Sequence, residues 1–212
     1  MKKYRGTLIL TSLIILLPML VGVLLWDQLP DRVATHFGMD NTPNGWTDKG
    51  VAVFGLPIGL LVVHFICAFF LSVDPKKQNM SEKLKHLVFW IIPIVSMLLM
   101  VCSYGYELGY EWNTGLFVRF FVGVLFLIIG NYLPKCKQNY SMGIKLPWTL
   151  NDEENWNHTH RFAGFVWAIC GAIMLVNIFM GLEWLIFALV AVMVLAPAVY
   201  SYLYDRKHGA SN

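Results

Sequence analysis

The chain has 212 residues, of which 57% are hydrophobic and 14% are charged, and its formal net charge is +3. Soluble domains carry about 25% charged residues. Here the charged residues are missing from long apolar runs, which excludes an ordinary soluble domain and indicates a membrane protein. The four cysteines contain no CxxC pair, so we expect neither a disulfide nor a zinc site built from thiolates.

Six apolar runs reach or approach the length of roughly 20 residues that a helix needs to cross the hydrocarbon core. They are Gly6–Trp26, Val51–Val73, Leu87–Tyr106, Leu116–Leu133, Phe162–Leu182 and Trp184–Tyr204. A helix satisfies its own backbone hydrogen bonds in lipid. No cleavage site follows the first run, so we interpret it as a retained helix and not as a signal peptide. The sequence predicts an all-α polytopic membrane protein with one six-helix domain over residues 1–212.

The basic residues predict the orientation of the chain. Six spans place both termini on one side, and thirteen of the sixteen Lys and Arg residues fall on that side with six acidic residues. The other side has three basic and seven acidic residues. By the positive-inside rule we expect both termini to be cytoplasmic. We expect the inner face to contact anionic lipids and the outer face to attract cationic peptides.

The loop over residues 27–50 is predicted to form a small extracellular domain. "RVATHF" is typical of a short strand, and Asn44-Gly45 favours a hairpin turn after it. Trp46 is suited to the membrane interface. His36 could be a metal ligand, although it lacks neighbouring His or Cys residues, or it could make a polar contact.

The segment "KLPWTLNDEENWNHTHRFAG" begins the fifth span with polar residues. Asn151 or Thr149 could cap a helix whose first turn is acidic. On that helix Trp156 and His160 lie four residues apart on one face, as an interfacial helix needs. His158 and His160 point roughly 200° apart, so one metal ion cannot easily bind both. We therefore prefer a hydrogen-bonded collar, with no metal and no cofactor.

Two long stretches together resemble a known family. Residues 130–164, "GNYLPKCKQNYSMGIKLPWTLNDEENWNHTHRFAG", closely resemble the signature of the SdpI/YfhL family of bacterial membrane immunity proteins. Residues 29–49, "LPDRVATHFGMDNTPNGWTDK", resemble a domain of unknown function that often precedes that signature. The signature residues are Gly130, Asn131, Pro134, Asn139, Gly143, Pro147, Trp148, Thr149, Trp156, His160, Arg161 and Gly164.

The resemblance implies resistance to a secreted, membrane-damaging peptide, and a second role in signalling. In the signalling role, a cytoplasmic autorepressor is held at the membrane when the toxin is present. The expected partners are therefore a peptide toxin outside and a repressor inside, with no direct contact to nucleic acid. The candidate partner-binding residues are His36, Trp46, Asn139, Trp148, Trp156, His160 and Arg161.

Polar residues within or near the predicted spans are further candidates. His64 lies near the middle of the second span, where an ionisable group suggests either a function or a neutral hydrogen bond to another helix. Arg119 can extend toward the outer surface and pair with Glu107, Glu111 or Asp27. Asn131 and Asn177 are plausible hydrogen-bonding groups between helices.

Two other functions fit parts of the sequence. An interfacial hydrolase or transferase could use His158 or His160 with Asp152, Glu153 or Glu154 as acid and base, although no serine elbow, HExxH motif or phosphate loop accompanies them. A small transporter could use His64 as a proton relay, although the two halves show no corresponding broken helices. We therefore expect a protein that is not an enzyme.

Overall fold

Helix dominates the computed structural model, which describes residues 2–38, 40–110 and 113–208. A two-stranded antiparallel hairpin follows the first helix. The elements in chain order are α1 (Arg5–Leu24), β1 (Arg32–Phe37), β2 (Pro43–Asp48), α2 (Leu56–Val73), α3 (Glu82–Glu107), α4 (Thr114–Tyr132), α5 (Pro147–Asn151), α6 (Glu153–Met180) and α7 (Glu183–His208).

The six predicted spans are confirmed as helices in the described part of the chain. All six long helices are long and apolar enough to cross a membrane. The fifth apolar run, from Phe162, covers only the part of α6 suited to lipid, because α6 begins at Glu153. The helix predicted for the polar residues before that run is therefore confirmed, and it is continuous with the span. At the other end, Gly181 adopts φ +67° and terminates α6.

The chain divides into two compact units. The first contains Met1–Ser72 and Lys85–Gly115, and so includes α1, the hairpin, α2 and most of α3. The second contains Val73–Leu84 and Leu116–Asn212, and so includes α4 to α7. Each predicted functional region therefore belongs to one unit, the hairpin to the first and the signature segment to the second.

The hairpin of the first unit confirms the strand predicted over "RVATHF", but the predicted turn is wrong. Asn44 and Gly45 lie within β2, and the turn is closed by the Gly38 amide, which donates to the Thr42 carbonyl at 2.7 Å. Asn41 takes the left-handed conformation with φ 63°, which asparagine tolerates well. Gly45 serves a different purpose: a Cβ there would lie 2.9 Å from the Cβ of His36 across the ladder.

Proline shapes the core of the first unit. Pro57 has no N–H group, and the turn before it, Val51–Gly55, is a π-helix in which the Leu56 amide bonds to the Val51 carbonyl. Pro18 likewise interrupts α1, and the Tyr104 hydroxyl donates to its carbonyl at 3.3 Å. A buried apolar cluster joins the hairpin to these helices; it contains Leu29, Val33, Ala52, Val53 and Tyr104.

Glycine shapes the core of the second unit. A Cβ on Gly130 would lie 2.6 Å from the Ala168 nitrogen, and a Cβ on Gly164 would lie 2.7 Å from the Gly130 carbonyl oxygen. A Cβ on Gly171 would lie 2.9 Å from the Gly123 carbonyl oxygen. Each helix has a second glycine seven residues, or about two turns, after the first. The helices α4 and α6 therefore approach closely at two positions along their length.

Asn177 does not make the predicted hydrogen bond between helices. Its side chain donates to the Leu182 carbonyl at 2.8 Å and accepts from the Leu182 amide at 3.1 Å. Both bonds close the end of its own helix, because the last turn of α6 leaves its carbonyl groups without intrahelical partners.

Candidate functional site

The segment between α4 and α6, residues 133–152, is called the inner segment below, after its predicted side. Asn139 organises its first half and is fully buried. Its carbonyl oxygen accepts from the Ser141 amide at 3.0 Å and from the Met142 amide at 2.7 Å. Its NH2 group donates to the Lys137 carbonyl at 2.8 Å. The side chain therefore replaces the backbone pairing that an irregular segment lacks.

Asp74 and Gln138 attach this segment to the connection after α2. The Asp74 carboxylate accepts from the Tyr140 amide at 2.9 Å and from the Ser141 hydroxyl at 2.6 Å. Gln138 donates to the Thr149 and Leu150 carbonyls at 3.0 and 2.9 Å, and its oxygen accepts from the Lys76 ammonium group. The first half of the inner segment is therefore bonded to the neighbouring loop, and Gln138 joins it to the second half of the same segment.

Trp156 and His160 form a buried stack at the start of α6. Their ring centroids lie 4.0 Å apart with the planes inclined by 20°. Trp156 donates from Nε1 to the Cys136 carbonyl at 2.6 Å. His160 contacts the Trp156 carbonyl through Nδ1 at 2.8 Å and the Ile144 amide through Nε2 at 2.9 Å. The face predicted for these two residues is therefore confirmed, and it packs against the inner segment.

The two contacts of His160 determine its protonation state. A carbonyl oxygen can only accept, so Nδ1 carries the proton and donates it to Trp156. An amide N–H can only donate, so Nε2 holds a lone pair and accepts from Ile144. The ring is neutral, and neither nitrogen is available to a substrate or a metal ion in this arrangement.

Gly143 makes this stack possible. Its φ is +109°, and a Cβ would overlap His160 Nε2 and lie 3.0 Å from two carbon atoms of the Trp156 ring. The position thus excludes a side chain for two separate reasons, one conformational and one steric.

The helix start was predicted one position or more too early. Neither Asn151 nor Thr149 caps α6; Asp152 does, and its carboxylate accepts from the Glu154 amide at 2.8 Å. Thr149 instead belongs to α5, where its hydroxyl accepts from the Leu146 amide at 2.9 Å. Pro147 at the start of α5 makes that extra turn a separate element. The acidic first turn of α6 is confirmed.

A second attachment joins the inner segment to α7 through Ser201. Trp148 donates from Nε1 to the Ser201 hydroxyl at 2.5 Å and lies edge-on to Tyr202. Asn155 donates to the Ser201 carbonyl at 3.0 Å and accepts from the Thr159 hydroxyl at 2.9 Å. Trp148 is half-buried, and its indole nitrogen is used within the protein.

His158 and Arg161 lie on the opposite, exposed side of α6. His158 Nε2 is 3.8 Å from the Glu154 carboxylate, and its ring stacks on Tyr204 at 4.9 Å. The prediction that His158 and His160 point apart is confirmed. Among the described residues, no group of three or more His, Cys, Asp or Glu side chains is arranged to hold a metal ion.

The hairpin β1–β2, called the outer hairpin, presents the other predicted residues. The Ala34 amide donates to the Glu107 carboxylate at 2.6 Å, which fixes the hairpin to the end of α3. His36 is exposed and bonds to the Asn44 side-chain oxygen. Trp46 is exposed to 47%. In the turn, hydrogen bonds from the Thr42 side chain and amide hold the pKa of Asp40 below its usual range.

The three polar residues predicted within or near spans have different surroundings. His64 is buried and its Nε2 lies 2.9 Å from the Thr11 hydroxyl of α1, a hydrogen bond between helices such as one of the two alternatives expects. Asn131 is exposed near the end of α4 and accepts from Lys135 at 3.4 Å. Arg119 is half-buried in α4, whereas Glu107, one of its suggested partners, contacts the hairpin, and Glu111 lies outside the described residues.

Asp74, Gln138 and Ser201 are structural residues that the sequence analysis did not select. Asp74 could have been selected from the sequence, because it is a carboxylate at the end of an uncharged run and is followed by proline. Gln138 and Ser201 could not, since a single amide or hydroxyl is common in any loop or helix.

Comparisons with known proteins match the two parts of the chain that contain the inner segment and the outer hairpin. The chain matches the model of the SdpI/YfhL protein family over residues 135–201, and the model of a domain of unknown function, DUF1648, over residues 13–61. It is 28% identical over 206 residues to the immunity protein SdpI of Bacillus subtilis (strain 168), which covers 96% of this chain and 98% of that protein. No solved structure matches it.

Proposed function

From the chain's match to the SdpI/YfhL family and its similarity to an immunity protein, we propose that it is an immunity protein of the bacterial membrane. In this role it protects the cell against a secreted, membrane-active peptide and performs no chemical reaction. The observation that carries the proposal is the similarity to an immunity protein along nearly the whole chain, including both long connecting segments. The six apolar helices agree with a multi-pass location in the membrane.

We place the toxin contact on the outer hairpin. Trp46 and His36 are both exposed there, and the acidic excess of the predicted outer side favours a cationic peptide. An exposed indole at a membrane surface can bind an amphipathic peptide through its apolar ring and its N–H group. The hydrogen bond between Ala34 and Glu107 supports this role, because it holds the hairpin in one orientation on its unit.

The toxin contact can be tested by expressing the chain in a peptide-sensitive bacterium. Protection against the candidate peptide should fall when Trp46 is replaced by Ala, with the amount of protein in the membrane unchanged. Trp184→Ala is the matched control, since Trp184 is another highly exposed tryptophan that lies outside the hairpin. Equal protection by both variants, or no protection by the unaltered chain, would contradict the proposal.

For signalling, we propose that a cytoplasmic repressor binds the predicted inner face when toxin is present. Arg161 and the lysines of the inner segment offer exposed charge for such a contact. The toxin can shift the equilibrium only if it prefers one state of the protein over the other. The buried Asn139, Trp156 and His160 would influence a partner through the shape of the inner segment, whereas Trp148 and Arg161 are accessible to it.

Affinity purification with and without added peptide tests the signalling role. We expect one cytoplasmic protein to co-purify only when the peptide is present, and to be lost from an Arg161→Gln variant. Recovery of the same cytoplasmic proteins under both conditions would contradict peptide-dependent capture and would leave resistance alone as the function.

Replacing the two histidines separately distinguishes this function from the interfacial enzyme. His160→Gln should reduce the amount of folded protein, because both nitrogens of His160 bond within the fold. His158→Gln should leave both protein level and protection unchanged, because His158 is exposed. Loss of protection by His158→Gln at a normal protein level would instead favour the enzyme.

A further inference from the structure

A groove on the surface of the first unit follows one side of α1. It has a volume of about 450 Å³, and Phe65 of α2 forms part of its wall. The remaining wall consists of residues that recur at helical spacing on α1: Arg5, Leu8, Ile9, Ser12, Leu13 and Leu16. Apart from Arg5 at one end and Ser12 in the middle, the wall is entirely apolar.

The cation at the end of the groove is available to a ligand. Arg5 is exposed and makes no hydrogen bond or ion pair with the described residues. The ring of the neighbouring residue, Tyr4, has two further cations beside it, since the ammonium groups of Lys3 and Lys85 are 6.0 and 5.8 Å from its centre. This end of the groove therefore favours a negatively charged group.

The length of the groove matches one leaflet of the bilayer. Eleven residues separate Arg5 from Leu16, and a rise of 1.5 Å per residue makes that distance roughly 16 Å. The hydrocarbon core is about 30 Å thick, so the groove extends to about its middle. A second copy of the chain fits this groove less well, because it would bury the Arg5 charge without a counter-charge.

We propose that this groove binds one phospholipid with an acidic headgroup. One acyl chain lies along Leu8, Ser12 and Leu16 against Phe65, and the phosphate contacts the Arg5 guanidinium. An acidic headgroup brings a net negative charge to Arg5, whereas the choline of a zwitterionic headgroup adds a positive charge that offsets the phosphate. The site does not depend on the toxin or the repressor.

Native mass spectrometry of the full chain, purified in detergent and mixed with phosphatidylglycerol or phosphatidylcholine, tests the proposal. We expect one retained phosphatidylglycerol, bound about fivefold more than phosphatidylcholine, because one basic residue near an anionic membrane contributes a factor of that size. Arg5→Gln should remove the preference. Lys137→Gln, which removes an exposed cation far along the chain, should keep it.

A second pair of variants tests the groove itself. Ser12→Phe fills its middle and should abolish retention of either lipid, whereas Leu20→Phe on the exposed surface of α1 should not. Equal retention of both lipids by the unaltered chain would overturn the proposal, as would unchanged binding in Ser12→Phe. A dimer that Ser12→Phe dissociates would show that a second copy occupies the groove.

Discussion

At the scale of single residues, the inner segment is held by side chains that each satisfy several backbone groups. Asn139 bonds to three backbone groups within its own segment. Asp74, in a neighbouring loop, accepts from the Tyr140 amide of the segment and from the Lys76 amide of its own loop. A buried backbone group without a partner costs about 1–3 kcal/mol. The family signature in this region is therefore, in large part, a set of folding requirements.

Asn139→Ala should destabilise the protein by about 1–3 kcal/mol or more, since it leaves the Ser141 and Met142 amides without acceptors. Thermal unfolding in detergent measures the change. Asn157→Ala is the control, because Asn157 is exposed on α6, and it should leave the unfolding temperature unchanged. Equal unfolding temperatures for the two variants would contradict this role of Asn139.

Gly143→Ala and Gly109→Ala should differ, although both glycines have positive φ, at +109° and +81°. Each substitution strains the backbone by about 1–3 kcal/mol. Only the Cβ at position 143 also overlaps His160, because nothing lies within 4 Å at position 109. We expect a lower unfolding temperature for Gly143→Ala than for Gly109→Ala; the reverse order would argue against the steric explanation.

At the scale of elements, α4 and α6 pack through glycines that bring their backbones into contact. The outer hairpin is bonded to α3 through the Glu107 carboxylate. Close glycine contacts depend on the absence of a methyl group and cannot adapt, because the atoms opposite belong to the backbone. The hairpin, in contrast, is held by the apolar cluster around Val33 and by one hydrogen bond, whose loss would loosen it locally.

Gly130→Ala should lower the stability of the second unit by about 1–3 kcal/mol, because its Cβ would meet the backbone of Ala168. Gly59→Ala is the matched control in α2, where no atom lies within 4 Å. We expect its stability to be unchanged or slightly higher, since alanine favours helix. Thermal unfolding measures the stability of both variants. An equal change in unfolding temperature for Gly130→Ala and Gly59→Ala would refute the packing argument.

Glu107→Ala should loosen the outer hairpin, whereas Glu107→Gln retains an acceptor oxygen and should not. Hydrogen exchange of β1 amides measures the effect, which we expect to be roughly tenfold at Ala34 in the alanine variant. If exchange is as slow in Glu107→Ala as in the unaltered chain, the apolar cluster around Val33 alone holds the hairpin.

At the scale of the whole molecule, three helices long and apolar enough to cross a membrane lie between the two candidate regions in the chain. The proposed separation of toxin and repressor requires each of the three to cross, because an odd number of crossings puts the two regions on opposite sides. The excess of basic residues predicts that the inner segment is the cytoplasmic one.

Cysteine labelling in intact cells tests this arrangement. A membrane-impermeant maleimide should label Asp48→Cys in the hairpin at once, and Lys137→Cys only after permeabilisation. The unaltered chain serves as the control, because three of its four cysteines are buried and the fourth is half-buried. The pKa of the Cys136 thiol is also raised by burial, which slows its alkylation further. Labelling of Lys137→Cys from outside would reverse the proposed sides.

The sequence by itself determined the number and approximate position of the helices, since burial in lipid requires long apolar runs whatever their neighbours. It also determined the strand "RVATHF" and the shared face of Trp156 and His160, because both follow from local periodicity. These features can be predicted without information about the residues that pack against them.

Only the tertiary structure decided which polar groups meet. The turn at residues 38–42, the cap at Asp152 and the partners of Asn177 differ from local expectation. The bond between Asp74 and residues 140–141 joins groups more than sixty positions apart. A hydrogen bond depends on distances of a few tenths of an ångström between distant parts of the chain, and residue type and spacing do not specify such distances.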